Sequence, residues 1–467
     1  MIHLPFAKGK TYAVYGLGKT GIAAVNALQA AGANVVAWDE SHEKINEAVK
    51  VEIKTGNLLE IDISNFDGIV VSPGISLDAP VVIRFKEARV PILSDISLLR
   101  KALPDADFIG ITGTNGKSTT TALLGHVLEA FMPVRVGGNI GVASLSLAEP
   151  DERNTAYVLE LSSYQLDLSP SLPMQGAIFL NLTKDHLERH KTMDGYFAAK
   201  RNLFNHAQMR DDHAPVAVIA IDDVYGRQLC EDLEEGGRWH VVPVSVGGQL
   251  DYGVYVKGGI LYDALSDSHT RVCNLDESVA LKGAHNHQNA ACVYALARAY
   301  YNYDPAQIAE NILDFGGLPH RQFPVRTIHD VVYVNDSKAT NADATSKALG
   351  AYENIYWILG GQPKEGGLTG LETYMNKIRH AYLIGEATEA FSVWLEAQNI
   401  PFSKCGSLDR AVAAAHFQAQ HDATGALGAG TVLLSPACAS WDQFNSYEHR
   451  GDIFAALVMA LSEELAA

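Results

Sequence analysis

The sequence predicts an α/β protein of three domains, each built around a mostly parallel sheet, and three observations predict it. The chain has 467 residues, 47% of them hydrophobic, without a long low-complexity run, which is enough to bury several cores. Short apolar runs alternate with helical stretches throughout, the rhythm of βαβ units. Three separate strand ends are glycine-rich or polar, one for each expected unit.

Composition narrows the function classes. The net charge is −18, from 54 acidic and 36 basic residues. Such a surface repels a nucleic-acid backbone, so no nucleic-acid partner is expected. An anionic substrate must then meet locally placed Lys, Arg, backbone amides or metal. The five cysteines, Cys230, Cys273, Cys292, Cys405 and Cys438, never fall in C-x-x-C spacing. They suggest neither a disulfide framework nor a zinc site, and reduced thiols fit them. The opening MIHLPFAKGK has no apolar signal core, and no apolar run is long enough to span a bilayer. A soluble, cytoplasmic protein with no membrane partner is expected, and a monomer is the working expectation for its assembly.

The first unit opens with a strand at Thr11–Tyr15, followed by Gly16-Leu17-Gly18-Lys19-Thr20-Gly21, a helix over Ile22–Ala30 and a strand at Asn34–Trp38. A G-x-G-x-x-G turn between strand and helix cradles a diphosphate, which makes this a Rossmann-like N-terminal domain. With Asp39 at the next strand end, the turn alone reads as NAD binding, with the acid on a ribose diol. A lone fingerprint is weak, however. The unit ends near Ser94-Asp95, after the loop Ser72-Pro73-Gly74.

The second unit begins with the strand Phe108–Ile111 and a second glycine loop, Gly113-Thr114-Asn115-Gly116-Lys117-Ser118-Thr119, leading into a helix. Small residues let backbone amides converge on phosphate oxygens at a helix N-terminus. Lys117 can reach the outer phosphates and the Ser118 hydroxyl can ligate Mg²⁺. The loop departs from the generic P-loop, because position 111 is Ile and the earlier glycine is Gly113. Glu160 ends the strand Tyr157-Val158-Leu159, next to Leu161, where a carboxylate beside a phosphate loop commonly holds Mg²⁺. His186, after the strand Ala177–Leu180, reads as a metal ligand or, better from composition alone, as an ordinary polar loop residue, and Lys200 as a solvated helical lysine. Residues 205–280 look less regular, a β-rich or inserted region turning at Gly-Gly pairs 236–237, 247–248 and 258–259. A long helix follows over Asn286–Tyr300. Gly316-Gly317-Leu318-Pro319 is the hinge candidate, and strands at Val331–Val334, Ile355–Leu359, Ala381–Ile384 and Val432–Leu434 make the third unit. The expected domains are therefore 1–95, 96–317 and 318–467: Rossmann-like, a central ATP-binding domain with a mostly parallel sheet and P-loop, and Rossmann-like again.

Thr112-Gly113-Thr114-Asn115-Gly116-Lys117-Ser118 resembles the nucleotide loop of the Mur ligase and folylpolyglutamate synthase superfamily, whose members activate a carboxylate with ATP and couple it to an amine. Further segments carry the resemblance to the Mur ligases along essentially the whole chain. Asn181-Leu182-Thr183-Lys184-Asp185-His186 and Gly195-Tyr196-Phe197-Ala198-Ala199-Lys200 match the segments that supply a metal-binding histidine and a carbamylated lysine. The resemblance implies ATP and two Mg²⁺ sites, with Ser118, Glu160, His186 and Lys200 on the metal side and Lys117 on the phosphates. It implies that Asn139 helps place substrate and γ-phosphate, that Asn286 and Asn289 lie along the nucleotide, and that Arg321 approaches the ATP phosphates. Capping the helix start is an equally good physical role for the two asparagines.

Val334-Asn335-Asp336-Ser337-Lys338-Ala339-Thr340-Asn341 and Leu434-Ser435-Pro436-Ala437-Cys438-Ala439-Ser440-Trp441-Asp442-Gln443-Phe444 match the D-glutamate-adding branch of the family, and the Asp-Asn-Pro-Arg motif for diaminopimelate is absent. The resemblance implies Asp336 and Lys338 facing the nucleotide and Thr340, Lys364, Ser440 and Tyr447 around D-glutamate. Trp441 and Tyr447 depart from the family's usual smaller apolar residue and Phe. By the same resemblance the first glycine turn holds the UDP of UDP-N-acetylmuramoyl-L-alanine rather than NAD, with Gly16, Gly18, Lys19, Thr20, Gly21, Asp39, Ser72 and Gly74 lining it. Three rivals remain: a folate-type polyglutamate ligase, which lacks the N-terminal unit and the two last motifs; an NAD-dependent oxidoreductase, which leaves Lys117 without a task; and a non-catalytic nucleotide-binding scaffold, which should have lost Lys117, Glu160 or Lys200, all present here.

Overall fold

Thr11–Tyr15 pairs in parallel with Asn34–Trp38 on one side and Gly68–Val71 on the other, and Ile92–Leu93 completes a four-stranded sheet. The computed structural model describes residues 1–150, 154–210, 213–424 and 428–462. The chain divides into two compact units, one of residues 1–273 and 288–312, the other of residues 274–287 and 313–467.

The first unit carries the four-stranded sheet and a nine-stranded one. In the larger sheet Gly176–Phe179, Asp107–Thr112, Ala156–Glu160 and Val134–Gly138 lie side by side in that order, all parallel. The first three are fully buried, as parallel strands covered on both faces must be. Small contacts bind the two sheets together. Ser94, which caps the helix Asp95–Ala102, lies 2.5 Å from the Ser169 hydroxyl, and Lys19 donates to the Gly141 carbonyl at 2.7 Å.

The β-rich region expected over 205–280 continues the nine-stranded sheet, and it holds a helix that was not expected. Val216–Ala220 and His240–Ser245 pair in parallel, joined by a 13-residue helix, Val224–Gly236. Its acidic sequence hides the periodicity: only Gly226, Leu229, Cys230 and Leu233 are buried, on a narrow face. Asp223 caps it by accepting from the Gly226 amide at 2.8 Å. Gly258 and Gly259, with φ of +57° and +76°, form the two-residue turn of the hairpin Gly253–Lys257 and Ile260–Ala264.

The second unit holds a six-stranded sheet in the order Phe323–Ile328, Val331–Asn335, Thr431–Leu434, Ile355–Gly360, Ile378–Ile384, Phe402–Gly406. Only the first pair is antiparallel among the pairs described. Alternate residues of one strand feed opposite faces: Trp357 and Leu359 pack into one core, Tyr356 and Ile358 into the other. Among the described residues, no helix is long and apolar enough to cross a membrane.

Candidate active site

Parallel pairing brings four strand ends of the first unit into one row: Gly138-Asn139, Glu160, Thr112-Gly113 and Leu180-Asn181. The Asn139 amide donates to the Glu160 carbonyl at 2.9 Å, Leu161 N to Ile111 O at 2.9 Å, and Leu180 N to Thr112 O at 3.0 Å. The carboxyl ends of parallel strands are where an open α/β sheet leaves its crevice.

The glycine loop leaves this row and enters the helix Lys117–Glu129. Gly116 is the helix N-cap with φ +85°, and a Cβ there would collide with the Asn289 side chain. Only glycine serves both demands, the left-handed backbone and the close approach. Asn181 holds the loop from the next strand end. Its carbonyl accepts from Thr114 N at 2.9 Å, its Oδ1 from Asn115 N at 2.9 Å, and its Nδ2 donates to Asn115 O at 3.1 Å. Asn181 was not a candidate from sequence; its position at a strand end facing a glycine loop was the available signal.

Glu160 is 3% exposed and is held by two donors: the Ser118 hydroxyl to Oε2 at 2.6 Å and Asn139 Nδ2 to Oε1 at 2.9 Å. The buried carboxylate and hydroxyl side by side are hard oxygen donors of the kind Mg²⁺ takes, so Ser118 and Glu160 fit that ion. Lys117 Nζ donates to Gly113 O at 2.9 Å and Thr114 O at 2.7 Å. Lys200 Nζ, 1% exposed, donates to the same Gly113 carbonyl at 2.7 Å. Burial first, then the neighbouring Lys117 charge, drive the Lys200 amine well below its usual range. A neutral buried amine is the form that reacts with CO₂, and the group has no solvated role here.

Around Lys200 stands an aromatic wall. The Tyr196 ring lies 4.6 Å from Lys200 Nζ, with its hydroxyl 3.3 Å from Thr114 Oγ1, and His190 stacks on that ring at 5.3 Å. His186 adopts the left-handed conformation, φ 52°, and its backbone amide donates to Asp185 Oδ1 at 2.9 Å. Tyr164 bridges His186 and Glu188, and burial and its hydrogen bond to Glu188 raise the phenol, which stays protonated.

From this row a cavity of about 800 Å³ runs to the first glycine turn, lined among others by Gly16, Lys19, Ser72, Asn139, Ser162 and His186. Gly18, Thr20, Asp39 and Gly74 also border it. Gly21 instead packs on the Gly16 carbonyl, closer than any side chain allows. The Asp39 carboxylate is turned onto its own loop, accepting from Leu17 N at 2.7 Å, Ser41 N at 2.9 Å and Lys44 at 3.3 Å. Those donors hold its pKa down against burial. Tyr15, Glu40 and Lys44 line this end and were not singled out from sequence.

In the first unit Asn289 lies against the glycine loop, whereas Asn286, in the second unit, donates to Lys282 O at 3.1 Å in the first helical turn. In the second unit the strand ends gather Asp336, Gly361, Gly385 and Ser435. Asp336, fully enclosed, accepts from Ser435 Oγ at 2.8 Å and Gln322 N at 3.2 Å, yet burial still raises its carboxyl to about 7. The Arg321 charge nearby works against that rise. Lys338 Nζ sits 3.8 Å above the Tyr447 ring, and Lys364 Nζ is 3.5 Å from Thr340 Oγ1. Ser440 is buried, and Trp441 is exposed. Arg450 was missed. Wholly buried, it donates to the carbonyls of Ser337, Cys438 and Ala439 and to the Ser337 hydroxyl, clamping the two segments that carry Lys338, Thr340 and Ser440.

Residues 111–297 match the family model of the Mur ligase middle domain, and residues 10–94 that of the Mur ligase MurD-like N-terminal domain. The chain is 47% identical to the UDP-N-acetylmuramoylalanine--D-glutamate ligase of Paramagnetospirillum magneticum, across 99% of both chains. It is 46% identical to the enzyme of that name from Rhodospirillum rubrum, across 98% of this chain and 96% of that one. Among solved structures, the UDP-N-acetylmuramate-alanine ligase of Thermotoga maritima shares the fold, with a TM-score of 0.57 at 18% identity, over 97% of this chain and 99% of that one.

Proposed function

The chain belongs to the Mur ligase family, and from that premise we propose that it joins D-glutamate to UDP-N-acetylmuramoyl-L-alanine at the expense of ATP, in the cytoplasmic synthesis of peptidoglycan precursors. One observation carries the reading: a single cavity leads from the glycine turn Gly16–Lys19 to Asn139, whose side chain is bonded to Glu160 beside Ser118. A diphosphate at the turn directs the molecule's other end along the cavity toward Asn139. NAD binding gives the Lys117 loop no task, and Asp39 is committed to its own turn.

In this reading the three domains are 1–95 for the UDP substrate, 96–317 for ATP and 318–467 for the amino acid. The amides of Gly113 to Thr119 hold the phosphates and Lys117 leaves the Gly113 carbonyl for the outer ones. Asn289 and Asn286, Arg321, Asp336 and Lys338 serve the nucleotide. The substrate carboxylate attacks the γ-phosphorus, the bond to ADP breaks, and an acyl phosphate forms. D-Glutamate, its carboxylates held by Thr340, Lys364, Ser440 and Tyr447, attacks the acyl carbon through its amine. Phosphate leaves, and the amine proton passes to His186 or to that phosphate. When bound by Ser118, Glu160, His186 and a carbamylated Lys200, Mg²⁺ neutralises the charge that gathers on the phosphoryl oxygens. Carbamylation adds CO₂ to the neutral Lys200 amine with loss of one proton.

Phosphate release with ATP, Mg²⁺ and UDP-N-acetylmuramoyl-L-alanine tests this directly. Turnover is expected with D-glutamate and not with L-glutamate, L-alanine or diaminopimelate, and Lys117→Ala is expected to abolish it. Turnover with another amino acid keeps the ligase and moves its specificity. Absence of turnover with all four overturns the proposal.

A further inference from the structure

The glycine loop 113–119 is gripped from two sides, and both grips lead to one place. Asn181 pairs with Thr114 and Asn115 on one side, and Thr183 N donates to Thr114 Oγ1 at 3.0 Å. On the other side the Asn289 side chain lies so close that a Cβ on Gly116 would collide with it. The two asparagines share an anchor. Leu182 N, next to Asn181, donates to Asp223 Oδ2 at 2.9 Å. Gln288, next to Asn289, donates from Nε2 to Asp222 Oδ2 at 2.7 Å. Asp222 and Asp223 follow the strand Val216–Ala220 and lie in the first unit with all of these partners.

The anchor is itself fixed. Asp222 Oδ1 accepts from Ser245 Oγ at 2.7 Å and Gly247 N at 3.0 Å, and its Oδ2 from Val246 N at 3.1 Å. Asp223 Oδ1 accepts from Gly226 N at 2.8 Å, at the start of the helix Val224–Gly236. Gln288 and Asn289 are 9% and 2% exposed, so packing restricts their rotamers as well. A phosphate is held by several donors at once, and a loop that must be ordered on binding draws that cost from the affinity. Groups beyond the first contact supply such order in advance.

We propose that Asp222 and Asp223 are positioning residues for ATP. Acting through Gln288 and Asn289 on one side and through Leu182 and Asn181 on the other, they hold the glycine loop in its phosphate-binding shape before the nucleotide arrives. The part played in ATP binding rests on the ATP reading of the loop; the bracing of the empty loop does not.

Two conservative variants of the full-length protein test it, one for each side. Gln288→Met keeps the length of the side chain and removes the donor to Asp222. Asp223→Ser keeps a good helix cap but is too short to hold Leu182 as well. Without ligand, amide hydrogen exchange of residues 113–119 is expected to quicken in both variants, while the strand Thr11–Tyr15 exchanges as in the wild type. By calorimetry with Mg²⁺, the dissociation constant for ATP is expected to rise about tenfold in each, the size of one lost hydrogen bond to a charged group. That for UDP-N-acetylmuramoyl-L-alanine is expected to stay put. A wild-type ATP constant in either variant overturns the proposal. So does an equal loss of affinity for both ligands, which assigns the pair to general stability. No ATP binding by the wild-type protein fails the ATP reading itself, whereas unchanged loop exchange in the variants fails the brace, so the two failures are separately visible.

Discussion

Glu160 and Ser118 sit in the first unit as a preformed pair, so the charge of Glu160 can be removed with little loss of shape. Glu160→Gln is expected to keep its fold and lose about 100-fold or more in turnover, a typical cost for one group acting on a developing charge. Steady-state phosphate release against an unchanged melting curve checks it. Lys200, buried and depressed, is expected to give a carbamate signal in ¹³C-bicarbonate that vanishes in Lys200→Gln. Asp336 makes a stability prediction. Its folded value, about 7, is raised above the ordinary carboxylate value by burial. The corresponding stability is fully present below pH ~4 and is lost as pH rises through about 7, by up to about 4 kcal/mol. Denaturant melts from pH 5 to 8 should therefore fall more steeply in the wild type than in Asp336→Asn. Equal slopes would mean that the carboxyl is ionised throughout.

At the scale of elements, the second unit depends on Arg450 at the first turn of the helix Tyr447–Met459. Its guanidinium ties that helix to the segments after Val331–Asn335 and Thr431–Leu434 through five hydrogen bonds. No carboxylate partners it at hydrogen-bond distance among the described residues, so the carbonyls share its charge. Arg450→Ala leaves those carbonyls unsatisfied in a dry interior and is expected to cost about 3–5 kcal/mol in urea melts. Arg450→Lys recovers only part, because an ammonium cannot span the same fork of acceptors. A loss under about 1 kcal/mol in the alanine variant would show that the clamp is dispensable.

At the scale of the whole molecule, the long cavity separates the UDP reading of the first glycine turn from the NAD reading. UDP-N-acetylmuramoyl-L-alanine at a hundredfold excess over its dissociation constant is expected to stabilise the protein by about 2.7 kcal/mol, and NAD at the same concentration by nothing. Thermal melts with each ligand decide it; a shift with NAD alone reverses the assignment.

Much of this was legible in the sequence because local rules fix it. A glycine turn after an apolar strand can fold in few ways, so Gly16–Gly21 and Gly113–Ser118 fell where expected, and the alternation of short strands and helices declared an α/β protein. The helix Val224–Gly236 escaped because its buried face is four residues wide in an acidic sequence. What only the tertiary structure decided was convergence. Strand order, not spacing, sets Asn139, Glu160, Gly113 and Asn181 in one row, since neighbours in a parallel sheet are seldom neighbours in the chain. Burial made Arg450 a clamp, and packing brought Tyr164 to His186 across 22 residues. The sequence determined by itself which local motifs could bind phosphate, because a backbone turn needs only its own residues. Which side chains act on those phosphates waited on the fold, because desolvation and distance exist only between parts that have come together.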